Sequence, residues 1–191
     1  MAHGFENGAA YERINVVGPS GSGKTTFARE LASLLGLPCY EMDALFWEPG
    51  WRECENDEFV RRVEEVTSRS RWVLDGNYST RTLAIKSKRV QLVVWLDPSV
   101  VTTVCRVTAR TVRRSLTREE LWPGTGNRES LAQALFSRKS IIWLAMTTHA
   151  RTRRRYNALM AAPEYSHIRF VRLASRADAA RFLGSIARER G

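Results

Sequence analysis

Residues Gly18 to Thr26 read GPSGSGKTT, and this stretch decides the fold. It matches GxxxxGK followed by Ser or Thr, a pattern in which glycines let backbone N–H groups turn inward around phosphate oxygens. An apolar strand, Arg13 to Val17, precedes the stretch, and an amphipathic helix from about Lys24 to Leu35 follows it. This strand–loop–helix context predicts a site for nucleotide phosphates and disfavours the alternative, a glycine-rich turn that binds nothing.

The polar residues of the loop have expected roles. Lys24 should reach the β- and γ-phosphates of ATP, and the hydroxyl of Thr25 should coordinate Mg²⁺. The helix N-terminus adds the positive end of its dipole. The residues expected to bind ATP in this stretch are Gly18, Ser20, Gly21, Ser22, Gly23, Lys24, Thr25 and Thr26.

Strands alternate with helices from one end of the sequence to the other, which predicts an α/β fold with a parallel sheet covered on both faces. The predicted strands are Arg13–Val17, Pro38–Met42, Arg71–Leu74, Val90–Leu96 and Ile168–Leu173. Residues 113–155 contain no strand candidate and are interpreted as a helical insertion. Residues 13–191 are expected to form a single domain after a flexible leader of residues 1–12.

Composition narrows the class of protein. The chain has 191 residues, 43% of them apolar, which suits one domain with a full core. Its apolar runs are far shorter than the roughly 18 residues of a membrane span, so we expect no membrane attachment. Three widely separated cysteines without a CxxC argue against a disulfide framework or a zinc site, and they favour a reducing, cytoplasmic setting.

The net charge is +10, and nearly all the basic residues are arginine. Arginine matches phosphate oxygens in pairs, so the charge indicates either a site for polyanionic nucleotides or a nucleic-acid surface. Codon bias of a high-GC genome is a third explanation. The segment from Val101 to Arg155 contains eleven arginines and three acidic residues. We expect Arg106, Arg110 and Arg114 on a helix, with Arg128 from a lid, to touch phosphate; the alternative is a solvated basic face.

Two carboxylates follow predicted strands and should lie near the phosphate loop, because ligands of open parallel sheets bind at the carboxyl ends of the strands. For Asp75 we favour a role in holding Mg²⁺ over one in capping a turn. Asp43 either orients the hydroxyl of a phosphate acceptor and takes its proton, or caps the segment that follows. Trp47, in the aromatic loop after Asp43, and Asn77 and Tyr78 are candidate acceptor contacts, with turn chemistry and packing as the alternative for the last two.

In these residues and their order, the sequence resembles the adenylate-kinase-related P-loop kinases, and more narrowly the branch named DNA topology modulation proteins. The shared features run from about Ile14 to Leu183. They are GPSGSGKTTFA, MDALFWEPGW, WVLDGNY, WLDPS with an arginine-bearing helix, TREELW, GNRESL and the arginine run after a Trp-containing helix. The phosphate loop alone is unspecific, whereas the ordered set is much more specific.

The resemblance implies a sheet of order 2-3-1-4-5 with a lid between the fourth and fifth strands. Adenylate kinases continue their third strand with Asp-Gly-Phe-Pro-Arg, whose arginine binds the acceptor nucleotide. Here Asp75 and Gly76 match, Asn77 to Ser79 depart from the pattern, and Arg81 is the nearest arginine. Asp43 and tryptophans stand where an acceptor arginine is expected, which is more similar to kinases of small hydroxylated substrates.

Three functions follow as hypotheses. The first is an ATP- and Mg²⁺-dependent kinase of a small hydroxyl or phosphate acceptor, working as a monomer or homodimer. The second is an ATP-binding regulator that binds nucleic acid through its basic lid; it is less favoured because no stacking aromatic residues interleave with the arginines. The third is an NTPase without an acceptor.

Overall fold

The computed structural model of the chain describes residues 11–77, 79–117, 120–122, 124–128 and 141–190. Its strands are β1 (Arg13–Val17), β2 (Cys39–Glu41), β3 (Trp47–Glu48), β4 (Arg52–Glu53), β5 (Trp72–Asp75), β6 (Leu92–Leu96) and β7 (Arg169–Leu173). Its helices are α1 (Lys24–Leu35), α2 (Met42–Phe46), α3 (Asn56–Ser68), α4 (Ser79–Lys86), α5 (Val100–Thr117), α6 (Ile141–Ala161) and α7 (Arg176–Arg190).

Five strands form one parallel sheet in the order β2-β5-β1-β6-β7. Counted along the chain without the hairpin β3–β4, this is the order 2-3-1-4-5, so the predicted sheet is confirmed. Val16 pairs with Asp75 on β5, and Val17 pairs with Trp95 on β6. The carboxyl end of the central strand β1 therefore lies between the ends of β5 and β6.

Side chains alternate between the two faces of the sheet, as the pleat of a strand requires. Ile14, Val73 and Val94 point to the face covered by α1 and α7, where Leu31 and Phe182 complete the core. On the opposite face, a second core joins the alternate residues of the same strands to Phe46 on α2, Phe59 and Val63 on α3, and Tyr156 on α6. The expected cover of helices on both faces is confirmed.

The segment after β2 differs from the predicted loop. Met42 and Phe46 are buried, one turn apart, and they anchor the short helix α2. The ring of Phe46 meets Phe59 edge-on, with 5.1 Å between centroids. The hairpin β3–β4 follows, joined by a 3₁₀ turn over Pro49–Trp51. Five residues are too few for a helical period to show in the sequence, so burial at these two positions determines the helix.

Parts of the predicted organisation lie outside the described residues. Residues 1–10 of the leader do, and so do residues 118–119, 123 and 129–140 of the segment interpreted as a lid. The division into leader, domain and lid therefore stays a prediction. Among the helices that the structure does describe, none combines the length and apolar character that a membrane crossing requires.

Replacing Leu31 by Ala should lower the free energy of unfolding by about 2–5 kcal/mol, because Leu31 is 0% exposed in the core beneath α1. Leu34 lies on the same helix and is 36% exposed, so Leu34→Ala should cost less than about 1 kcal/mol. Urea denaturation of both variants measures the difference. Equal losses would contradict the placement of α1 on the sheet.

Candidate active site

The phosphate loop begins at Gly18, directly after β1, and continues into the first two residues of α1, Lys24 and Thr25. Gly18 has a φ of 151°, and a Cβ there would lie 2.4 Å from the carbonyl oxygen of Leu96, so a larger residue does not fit. Gly21 has a φ of 78°, and its Cβ would meet Val107 of α5 at 2.5 Å. The first turn of α1 contains no acidic residue. The positive end of this helix is therefore available to an anion.

Lys24 is half-buried, and its Nζ donates a hydrogen bond to the carbonyl oxygen of Pro19 at 3.1 Å. Burial lowers the pKa of Lys24, while the negative charges of Asp75 and Asp43 raise it. The two carboxylates expected at this site thus both act on the lysine of the loop.

Thr25 and Asp75 are in direct contact. The Thr25 hydroxyl donates to Oδ2 of Asp75 at 2.5 Å. Burial raises the pKa of Asp75, opposed by the charge of Lys24 and by this hydrogen bond. Oδ1 of Asp75 is buried and has no hydrogen-bond partner among the residues that the structure describes. Such an atom is costly to bury, and a cation bound beside it would offset that cost.

The pair Thr25–Asp75 fits Mg²⁺ in the chemistry of its donors, a hydroxyl and a carboxylate. Within the described residues, no group of three or more His, Cys, Asp or Glu side chains could hold a metal ion. Mg²⁺ shared with substrate phosphates needs only one or two carboxylates, so the pair suits a metal that arrives with a nucleotide.

The arginines of α5 lie beside the loop. Nη1 of Arg106 donates to the carbonyl oxygen of Ser22 at 3.2 Å, and Nη2 of Arg110 lies 3.4 Å from the hydroxyl of Ser20. A cavity of about 430 Å³, here called the phosphate cleft, lies between α1, α2 and α5. The predicted site residues that line it are Gly21, Gly23, Lys24, Thr25, Thr26, Asp43, Arg106, Arg110 and Arg114.

A second cavity, of about 410 Å³, lies on the other side of the start of α1. Gly23, Thr26 and Arg106 line both cavities, so the two spaces meet there. The remaining wall of the second cavity includes Leu96, Pro98, Leu173, Ser175 and Arg176, none of which we expected from the sequence. These residues lie at or just after the carboxyl ends of β6 and β7. Ligands of open parallel sheets bind at these ends, so their position in the sequence could have indicated them as site residues.

Asp43 lies in the first turn of α2, rather than at the end of β2. It lines the phosphate cleft beside Lys24. Trp47 reaches the cleft only indirectly: its ring meets Trp51 at 5.5 Å, and Trp51 meets Trp122 at 5.9 Å. Trp122 is a tryptophan on the cleft wall.

Asn77 was expected to contact the phosphate acceptor, but its side chain forms hydrogen bonds with the backbone of Gly18. Its Oδ1 accepts a hydrogen bond from the Gly18 N–H at 3.0 Å, and its Nδ2 donates to the Gly18 carbonyl at 2.8 Å. The structure thus favours packing and turn chemistry for Asn77. Arg81 is held against the hairpin, with its guanidinium 5.1 Å from the ring of Phe46 and 3.7 Å from a carboxylate oxygen of Glu53. Tyr78 lies outside the described residues.

Arg128 is exposed, and its carbonyl accepts a hydrogen bond from Nε1 of Trp51 at 3.3 Å. Asn127, missed at the sequence level, is 1% exposed. Its Oδ1 accepts from the Trp51 N–H at 2.9 Å, and its Nδ2 donates to the Glu48 carbonyl at 3.0 Å. These bonds hold Trp51 at a φ of 60°, which is unusual for a bulky residue. Residues 127–128 are thereby tied to the hairpin.

Lys86 is another residue near the site that the sequence did not indicate. It is 3% exposed, and its Nζ donates to the Asn77 carbonyl at 2.7 Å and contacts the sulfur of Met42. Burial, with a smaller contribution from the charge of Arg155, lowers the pKa of Lys86 to about 7. Lys86 therefore supports Asn77, which in turn holds the phosphate loop.

A parallel sheet of this order, with a phosphate loop after its central strand, defines the fold of the P-loop kinases. Comparisons with solved structures agree. A shikimate kinase from Acinetobacter baumannii in complex with shikimate superposes with a TM-score of 0.57, at 21% identity, over 92% of this chain and 90% of that one. Deoxyadenosine kinase from M. mycoides with bound dCTP gives a TM-score of 0.50 at 14% identity, over 91% and 98% of the two chains.

At the level of sequence, no family model matches the chain. It is 32% identical over 117 residues to shikimate kinase of Corynebacterium diphtheriae, a match that covers 52% of this chain. The match covers 65% of that enzyme, which is just under two thirds of its length. The P-loop kinase fold is thus confirmed, while the narrower resemblance to one branch stays a prediction.

The buried Lys86 should make stability depend on pH. The unfolded chain keeps this proton up to about pH 10.5, whereas the folded protein releases it near pH 7. Between these values the unfolded state binds more protons, so stability should rise with pH, with a slope of up to about 1.4 kcal/mol per pH unit. Urea denaturation from pH 6 to 10 should show this rise to be lost in Lys86→Met and kept in Lys88→Met, which alters an exposed lysine. Parallel curves for wild type and Lys86→Met would contradict it.

Proposed function

We propose that this protein is a P-loop kinase that transfers the γ-phosphate of ATP to a small acceptor bearing a hydroxyl or phosphate group. The observation that carries the proposal is the convergence of Lys24, Thr25 and Asp43 with the α5 arginines on the phosphate cleft. Phosphoryl transfer depends almost entirely on positioning and electrostatic stabilisation, and these residues can supply both. The likeness to a shikimate kinase supports a small-molecule acceptor.

ATP would span the two cavities. Its β- and γ-phosphates would lie against the loop N–H groups and Lys24, at the N-terminus of α1. Its nucleoside would enter the second cavity, beside Thr26 and Arg106, which line both spaces. Arg106 would then lie where the nucleoside and the phosphates meet.

Thr25 and Asp75 would hold Mg²⁺ at the phosphates. When bound, the ion would neutralise charge on the β- and γ-phosphate oxygens. The buried Oδ1 of Asp75, which has no hydrogen-bond partner among the described residues, supports this assignment.

The acceptor would occupy the part of the phosphate cleft next to Asp43. The carboxylate of Asp43 would accept a hydrogen bond from the acceptor hydroxyl, orient it and take its proton late in the transfer. Arg110 and Arg114 would stabilise the charge on the transferred group, with Arg128 as a further contributor from the lid. Trp47 and Arg81 would shape the acceptor side through the hairpin, rather than by direct contact.

Within this class, the ordered motifs support the DNA topology modulation branch as the specific family. A regulator that binds nucleic acid through its basic lid is the competing proposal. It has less support because Arg106, Arg110, Arg113 and Arg114 line the phosphate cleft.

Lys24→Ala should reduce ATP turnover by at least about 100-fold, since the variant loses the ammonium that would contact the β- and γ-phosphates. Lys88→Ala, which removes an exposed lysine after α4, is the matched control and should retain full turnover. Release of ADP, followed with a coupled assay, measures both. Full activity in Lys24→Ala would refute the assignment of the phosphate loop.

ATP consumption against a panel of nucleosides, nucleotides, sugars and hydroxy acids should identify the acceptor. With that acceptor, Asp43→Asn should lower kcat by about 100-fold or more, because it removes the proton acceptor, and should leave the Kd of ATP within about twofold. Asp57→Asn alters an exposed carboxylate of α3 and serves as the control. A normal kcat in Asp43→Asn would contradict the role of Asp43, and no acceptor-stimulated turnover across the panel would favour an NTPase.

A further inference from the structure

Asp97 is a buried carboxylate that the proposed chemistry does not use. It follows the last residue of β6, and the residue is 2% exposed. Its side chain is surrounded by cations from two other elements. Nε of Arg153 on α6 donates to both carboxylate oxygens, at 3.1 and 2.9 Å, and Nε of Arg172 on β7 donates to Oδ2 at 2.8 Å.

His149 completes this group, one turn before Arg153 on α6. Its Nε2 lies 2.8 Å from the carbonyl oxygen of Pro98 and 3.5 Å from Oδ1 of Asp97. The sequence run Arg151 to Arg155 therefore contributes one arginine, Arg153, to a buried carboxylate. Helix α6 is attached at this point to the carboxyl ends of β6 and β7.

The attachment lies at the wall of the second cavity. The residues on either side of Asp97, Leu96 and Pro98, line that cavity, as does Leu173. The Asp97 N–H donates to the Leu173 carbonyl at 2.8 Å, which fixes the spacing of the two strand ends. The main chain of Asp97 thus connects two residues of that wall, and its side chain attaches this segment to α6.

A second contact connects α6 to Asn77, the residue that holds the phosphate loop. Tyr156, also on α6, lies against Trp95 of β6, with 5.6 Å between the two ring centroids. Its hydroxyl is 3.4 Å from Oδ1 of Asn77, the residue that holds Gly18. One helix is therefore attached both to Asn77, which holds the loop that would take the phosphates, and to Asp97, whose neighbours line the wall that would face the nucleoside.

We propose that Asp97 is a positioning residue for the nucleoside half of ATP: its ion pairs with Arg153 and Arg172 hold the wall formed by Leu96, Pro98 and Leu173 in the shape that accepts the base. This inference rests on the proposed function, because it takes the second cavity to be the nucleoside site. General stabilisation is the competing explanation. Such ion pairs are weak sources of stability, since desolvation of Asp97 and solvent screening of the half-exposed arginines offset most of their attraction.

Binding of ATP and of inorganic tripolyphosphate separates the two explanations, because tripolyphosphate has the phosphate chain without the nucleoside. Asp97→Asn should weaken ATP binding by about tenfold, through loss of the charge-assisted hydrogen bonds that shape the wall. It should change the Kd of tripolyphosphate by less than about twofold, since the phosphate loop keeps its own supports. Isothermal titration calorimetry in the presence of Mg²⁺ measures both constants.

Arg153→Gln should show the same selective loss to a smaller extent, and it provides the test if Asp97→Asn does not fold. Arg154→Gln, which alters the adjacent exposed arginine on α6, is the matched control and should bind both compounds as wild type does. Equal weakening of the two compounds, or no weakening of ATP binding, overturns the role of Asp97. Wild-type protein that binds neither compound overturns the proposed function itself, so the two failures are distinguishable.

Discussion

Two hydrogen bonds between the amide of Asn77 and the backbone of Gly18 hold the phosphate loop to the end of β5. An amide can satisfy a backbone donor and a backbone acceptor together, which a carboxylate cannot. Lys86 and Tyr156 bond to Asn77 in turn, so α4 and α6 are connected to the loop through one residue. The geometry at Lys24 and Thr25 depends on this support, because these residues begin α1 directly after the short loop that starts at Gly18.

Lys24 and Asp75, the two charged groups at the phosphate loop, lie in surroundings that suit a ligand with negative charge and a bound cation. Burial lowers the pKa of Lys24 and raises the pKa of Asp75, so each group is held in an environment that disfavours its charge. Phosphates beside Lys24, and a cation beside Asp75, would restore favourable partners to both. The phosphate cleft and the second cavity meet at Gly23, Thr26 and Arg106, which places one arginine at the junction.

Much of the fold could be predicted from the sequence, because the GPSGSGKTT motif and the alternation of strands with helices are local signals. The sheet order came from the resemblance, and the structure confirms it. Residues that line the cleft, among them Lys24, Asp43 and Arg114, could also be identified from the sequence. The partners of Asn77 and the cavity wall at Leu173 were not, since they depend on contacts between residues distant in the chain. Helix α2 was missed because two buried residues, Met42 and Phe46, determine it.

The ring contacts that join Trp47, Trp51 and Trp122 give the protein an internal optical reporter. Trp122 lines the cleft, while Trp72 and Trp95 are buried in the core. Tryptophan emission responds to the polarity and packing around the indole ring, so a molecule that enters beside Trp122 changes the signal of the whole group. Occupancy of the cleft is thus readable from intrinsic fluorescence, without a label or a coupled reaction.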